Sequence, residues 1–116
     1  MPVRPEIPEI VTGQLILVAL ANHWRLRLDE LTGRRKIYQL CRRRHIAMGL
    51  MRRYTAMSFP EIARLFGGRD HSSVIYGDRV YRRLRVAGDR MAVEAGHVVR
   101  GLFRAIPKPP TEVRCG

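Results

Sequence analysis

Ser58-Phe59-Pro60-Glu61-Ile62-Ala63-Arg64-Leu65-Phe66-Gly67-Gly68-Arg69-Asp70-His71-Ser72-Ser73-Val74 is the stretch that decides how this chain folds. Ser58 and Glu61 stand in capping-box register: the hydroxyl can accept from the Glu61 amide while the carboxylate reaches back to the Ser58 amide. Pro60 is tolerated there because first-turn amides have no partner within the helix. Met57 and Ile62 are placed to form a hydrophobic staple. The short helix runs through Phe66, and Gly67-Gly68 ends it. Asp70 is then expected to cap a second helix from His71 to about Val86, with Val74, Tyr81 and Leu84 as its core face. A short helix, a glycine turn and a capped second helix make a helix-turn-helix, here over residues 59–86.

Helical spacing continues on both sides. Val11, Leu15, Val18 and Ala19 predict a helix from about Ile10 to Trp24, with Leu17 and Leu20 widening its apolar stripe. Leu26, Leu28 and Leu31 mark a short helical turn, and Thr32-Gly33-Arg34-Arg35-Lys36 breaks the pattern as a basic loop. A helix from about Arg42 to Met57 puts Ile46, Ala47, Leu50 and Tyr54 inward and Arg44, Arg52 and Arg53 largely outward. Gly77 falls in mid-helix at a cost of about 1 kcal/mol relative to Ala, which suggests close helix packing. Gly88-Asp89 opens a last helix to about Ile106, anchored by Val98, Leu102 and Phe103. Pro2, Pro5 and Pro8 make residues 1–9 an extended leader, and residues 107–116 read as a flexible tail. No strand-length alternation and no internal repeat occur. The expected class is all-α, a single helical domain over residues 10–106.

The chain has 116 residues, enough for one modest core. Lys plus Arg is 22 against 10 acids, a net charge of +12, and all but Lys36 and Lys108 of these cations are Arg. From Arg34 to Arg85, thirteen Arg and Lys36 face only Glu61, Asp70 and Asp78, so +11 of the +12 lies in one stretch. A solvated surface mixes its signs. A concentrated excess calls for a polyanion, and a phosphate backbone supplies affinity by counterion release. The alternative is a merely basic surface from an Arg-rich genome. Cys41 and Cys115 cannot frame a disulfide scaffold and lack a CxxC neighbour. No run of 18 apolar residues exists to span a membrane. Ala19-Leu20-Ala21 mimics a signal-peptidase site, but Arg4 stands against Glu6 and Glu9 where a secretory leader is basic. A small soluble intracellular domain is expected.

The second helix of the motif begins with Asp70, His71, Ser72 and Ser73, preceded by Arg69. Short polar side chains on an exposed first turn suit a helix entering a major groove end-on. Arg69 can contact phosphate or guanine, Asp70 can accept from cytosine N4, and His71 can donate or pack on a thymine methyl. Ser72 and Ser73 can bond phosphate or base. The alternative is a capped surface helix in which Asp70 is only a cap.

Gly67-Gly68-Arg69-Asp70-His71-Ser72-Ser73-Val74 resembles the signature of the C-terminal DNA-binding domain of the bacterial replication initiator DnaA. Arg44, Ile46-Ala47-Met48, Leu50, Thr55, Ser58, Pro60-Glu61-Ile62 and Phe66 extend the resemblance upstream, over roughly Gln14 to Leu84. It implies a small helical, Trp-repressor-like domain that reads a nine-base-pair DnaA box in double-stranded DNA. It places Asp70, His71 and Ser72 in the major groove, supported by Arg69 and Ser73. The basic loop would put Lys36, beside Arg35, into the adjacent minor groove, and Arg44, His45, Arg52, Thr55 and Arg79 would take phosphate. A minor-groove cation with a major-groove helix fixes register.

The sequence also departs from that pattern. Ser72 and Ser73 stand where the family usually has Thr, so a methyl that could meet a thymine methyl is missing. Lys36 replaces Arg and loses its planar fork. Tyr38 stands where another basic residue is frequent, Arg43 where Pro is, and Ala63 where Gly is. No GxxxxGK[ST] run follows Gly67-Gly68 or occurs elsewhere, so ATP binding in the family's manner is not expected of this sequence. The expectation is a stand-alone domain that regulates replication initiation or transcription from DnaA-box-like sites.

Enzymatic activity is not expected. His23, His45, His71 and His97 show no i, i+4 pairing for zinc, and Ser72 has no evident base or oxyanion hole. Cofactor, metal, small-molecule substrate and membrane partner are all expected to be absent. Cys41 beside Arg42 reads either as a slightly acidic thiol or as a packed one. Trp24 and Tyr54 read as core, and few aromatics make single-strand stacking a poor fit. Two alternatives remain: an adaptor presenting the apolar faces of its first and last helices, or a non-specific nucleic-acid binder driven by charge.

Overall fold

The computed structural model describes residues 9–105; residues 1–8 of the expected leader 1–9 and the expected tail over 107–116 lie outside them, while Glu9, expected in the leader, begins the first helix. Six helices and no strand occur among the described residues: α1 Glu9–His23, α2 Leu28–Thr32, α3 Tyr38–Tyr54, α4 Phe59–Leu65, α5 His71–Val86 and α6 Arg90–Ala105. The all-α class is what the spacing predicts. Helix α3 is displaced from the expected 42–57. It starts a turn earlier, where extended Ile37 is its N-cap, and ends at Tyr54 because Thr55 turns extended at φ −131°, ψ 167°. The Thr55 hydroxyl then donates to the Met51 carbonyl at 2.6 Å and accepts from the Met57 amide at 3.1 Å.

One core joins all six helices. Ile16, Leu20, Leu31, Ile46, Leu50, Met51, Ile62, Phe66, Val74 and Val99 are completely buried in it. In α1 the inward face is Ile16, Leu17, Leu20 and Ala21, whereas Val18, expected inside, is 42% exposed. The uninterrupted apolar run from Leu15 to Ala21 carries no rotational phase of its own, so its packing partners choose the face. In α6, Ala92, Ala95 and Val99 are buried, and the expected anchors Val98, Leu102 and Phe103 flank them at half burial. Helices α1 and α6 pack on one another, so most of the apolar surface that an adaptor would present is used within the domain.

Helices α3 and α5 form the most extensive pair and set the direction of α5. They touch through glycines. A Cβ on Gly49 would lie 2.3 Å from Tyr81 Cβ and Cγ, and one on Gly77 would lie 2.7 Å from Met48 Sδ. The turn between α5 and α6 is tied back to α3 by Arg42, which meets Asp89 at 2.7 Å. Asp89 also caps α6 by accepting from the Ala92 amide at 3.0 Å. The amide and the Arg42 guanidinium hold the Asp89 carboxyl below the ordinary carboxylate range. No helix among the described residues is long and apolar enough to cross a membrane.

Candidate nucleic-acid interface

The helix-turn-helix is built by local bonds that the sequence specifies. Ser58 Oγ accepts from the Glu61 amide at 3.2 Å, and Glu61 accepts from the Ser58 amide at 2.8 Å, completing the capping box. Met57 and Ile62, the staple pair, are both buried in the core. Helix α4 closes on the Ala63 carbonyl, which accepts from the amides of Gly68 and Arg69 at 3.1 and 3.2 Å. Gly67 and Gly68 have φ of +78° and +76°, a conformation that side-chain-bearing residues adopt only at a cost. That pair of left-handed residues turns the chain into α5.

Asp70 occupies the N-cap position of α5, but its carboxylate does not cap, which corrects the sequence expectation. Ser72 Oγ donates to Asp70 Oδ2 at 2.5 Å, and His71 Nδ1 lies 3.6 Å from Asp70 Oδ1. The Ser72 hydroxyl is the main cause of the lowered Asp70 pKa. Asp70, His71, Ser72 and Ser73 are all exposed, and Ser73 directs its amide to the Asp70 carbonyl at 3.0 Å. The exposed first turn thus carries an ionised acceptor, an imidazole and two hydroxyls.

Beside this turn lies the basic loop 33–37, and bonds in both directions hold the two together. Arg34 Nη2 donates to the Gly67 carbonyl at 3.1 Å. Arg69 Nη2 donates to the Gly33 carbonyl, while its buried Nε has no partner among the described residues. Arg35 and Lys36 are exposed on the loop.

The expected phosphate contacts are placed unequally. Arg79 is exposed on α5. Arg44 is only 2% exposed, in contrast to the outward face expected for it. Its Nε donates to the Leu31 carbonyl at 2.8 Å, Nη2 to Glu30 at 2.9 Å and Nη1 to Arg35 at 2.5 Å. It therefore closes the C-terminus of α2 and shapes the basic loop from beneath. Burial, and after it the charge of Arg69, lowers its pKa. Arg52 lies half-buried over the Phe59 ring, 4.5 Å from its centroid, with Nη1 donating to the Met57 carbonyl at 2.9 Å. Thr55 is half-buried in the bonds already described.

His45 faces a cleft of about 300 Å³ between α3 and α5, also lined by Cys41, Met48, Arg69, Ser72 and Tyr76. Burial, and then the charges of Arg69 and Arg44, push its pKa below the ordinary histidine value. The scaffolding bonds of Arg44 and Arg69 were not readable from sequence, because their acceptors lie 9 to 36 residues away. Among the described residues no three His, Cys, Asp or Glu side chains cluster as a metal site.

Residues 14–80 match the family described as bacterial dnaA protein helix-turn-helix. The chromosomal replication initiator protein DnaA of Sphingopyxis alaskensis is 38% identical over 100 residues, covering 86% of this chain and 22% of that protein. The protein of the same name from Cereibacter sphaeroides is 35% identical over 95 residues, covering 82% and 21%. This chain therefore spans about a fifth of the length of these relatives. A crystal structure of a DNA replication initiation factor superposes with a TM-score of 0.72 at 24% identity, covering 85% of this chain and 30% of that one, a likeness of fold. With the exposed Asp70-His71-Ser72-Ser73 turn set beside half-buried Arg69 on such a fold, this chain belongs to the bacterial DnaA helix-turn-helix family of DNA-binding domains.

Proposed function

We propose that the chain binds double-stranded DNA sequence-specifically at DnaA-box-like sites. The first turn of α5 enters the major groove, where Asp70, His71 and Ser72 meet base edges with Arg69 and Ser73 in support. The loop bearing Arg35 and Lys36 follows into the neighbouring minor groove. Arg79 and His45 flank the turn for phosphate. Arg44, Arg52 and Thr55 act mainly by positioning, because each already donates to a carbonyl within the domain. The observation that carries this reading is the pairing of an exposed polar turn with an exposed basic loop through Arg34–Gly67 and Arg69–Gly33. Two elements for two grooves are held in one register before DNA arrives.

Fluorescence anisotropy at two salt concentrations tests it, with one duplex carrying TTATCCACA and a second a scramble of equal composition. Preference for the box at the higher salt supports direct readout. Equal binding that collapses with salt means a charge-driven, non-specific binder. Occupying such sites would regulate replication initiation or transcription in the cytoplasm without an ATPase step by this domain. Overproduction should then lower the origin-to-terminus ratio in cells, and an unchanged ratio would count against a role at the origin.

A further inference from the structure

Tyr76 lies one helical turn beyond Ser72 on α5 and is 54% exposed. Ser72, Tyr76, Arg79 and Arg83 follow one another at steps of four, three and four, which aligns them along one side of the helix. All four are exposed, while Val74, Gly77 and Tyr81 on the other side are buried against the core. The Tyr76 ring is not loose: the His45 ring of α3 meets it edge-on, with centroids 5.3 Å apart and planes at 83°. Burial and the neighbouring Arg69 and Arg44 keep His45 below its ordinary pKa, so the brace is uncharged at neutral pH.

The exposed first turn of α5, from Asp70 to Ser73, is entirely polar. It can read donors and acceptors, but it offers no large apolar surface. Thymine is marked in the major groove by its C5 methyl, and a methyl is recognised by apolar contact. Tyr76 supplies the large apolar surface next to that turn, in a fixed orientation. We propose that Tyr76 is a further specificity-determining residue whose ring packs on a thymine methyl, which rests on the groove-binding reading above.

Replacing thymine by deoxyuridine removes the methyl and keeps the base pairing. Anisotropy would be measured on the TTATCCACA duplex and on duplexes carrying deoxyuridine at each thymine of both strands in turn. The wild-type chain should lose about fourfold in affinity at one position, the worth of one buried methyl. Tyr76→Phe should keep that penalty, and Tyr76→Ala should bind the thymine and deoxyuridine duplexes equally. A penalty that persists in Tyr76→Ala overturns the proposal, as does the absence of any sensitive thymine. A loss in Tyr76→Phe that is equal on all duplexes also overturns it and assigns the hydroxyl to phosphate. If wild type prefers the box and Tyr76 fails these tests, the groove-binding reading stands alone. If wild type binds box and scramble alike, both fall.

Discussion

Arg34 Nη2 donates to the carbonyl of Gly67 at 3.1 Å, joining the basic loop to the left-handed turn of the helix-turn-helix across 33 residues of sequence. Arg69 answers with a bond to Gly33 in the opposite direction. Arg34 is exposed, so the bond adds little to global stability. Its effect is to order a loop that would otherwise be ordered on binding. Arg34→Ala should weaken the TTATCCACA complex by about tenfold through that ordering cost. Its thermal midpoint should fall by roughly 4 °C or less. An unchanged slope of affinity against salt would distinguish this clamp from a direct phosphate contact, whose loss lowers the slope by about one.

Arg44 and Arg79 should separate scaffold from contact. Arg44→Met leaves the carbonyls of Glu30, Leu31 and Arg35 without their donor, and about 3 kcal/mol of stability should be lost in urea unfolding. Arg44→Lys should fall between, because an ammonium does not reproduce the fork. Arg79→Ala should leave stability within about 0.5 kcal/mol and lower the salt slope of duplex binding by about one. A destabilised Arg79 variant, or a stable Arg44→Met variant, would reverse the assignment.

His45 makes stability depend on pH with a definite sign. Its pKa in the folded chain is depressed by burial and by Arg69 and Arg44, so the unfolded chain binds the proton first as pH falls. Stability from this group is therefore retained above about pH 7.5 and declines as pH drops through about 6.5. Urea midpoints at pH 8 and pH 5.5 should differ more for wild type than for His45→Gln. An equal difference in both proteins would show that the imidazole is not held neutral.

Gly49→Ala places a Cβ 2.3 Å from Tyr81 Cβ and Cγ, and neither helix can yield without moving α5. The expected loss is about 3 kcal/mol, at the upper end for overpacking. Gly101→Ala in α6, where a Cβ meets nothing within 4 Å, should instead stabilise by about 0.5 to 1 kcal/mol. Thermal unfolding of the two variants reads both signs at once.

Local features were the most legible in the sequence. The Ser58–Glu61 box, the Gly67-Gly68 turn and the limits of α5 follow from short-range stereochemistry, and each lies where the spacing predicts it. The rotation of α1 was not legible, because apolar residues surround that helix and only its neighbours select Ile16 over Val18. Gly49 was not distinguished from other small residues, since its role depends on Tyr81, 32 positions away. At the candidate site, residue types pointed to a cationic, groove-reading surface. They could not separate an arginine that faces outward from one that is buried against carbonyls, as Arg79 and Arg44 now divide.

The bracing from Arg44 and Arg69 has a consequence for the nucleic acid. The loop and the turn are fastened to the same rigid body, so the gap between them acts as a calliper set in advance. On the proposed two-groove binding, the duplex would meet that gap by changing its own bend and groove width. Sites that share every contacted base but differ in flexibility between the two contacts should be ranked by the stiffness of DNA that the protein never touches.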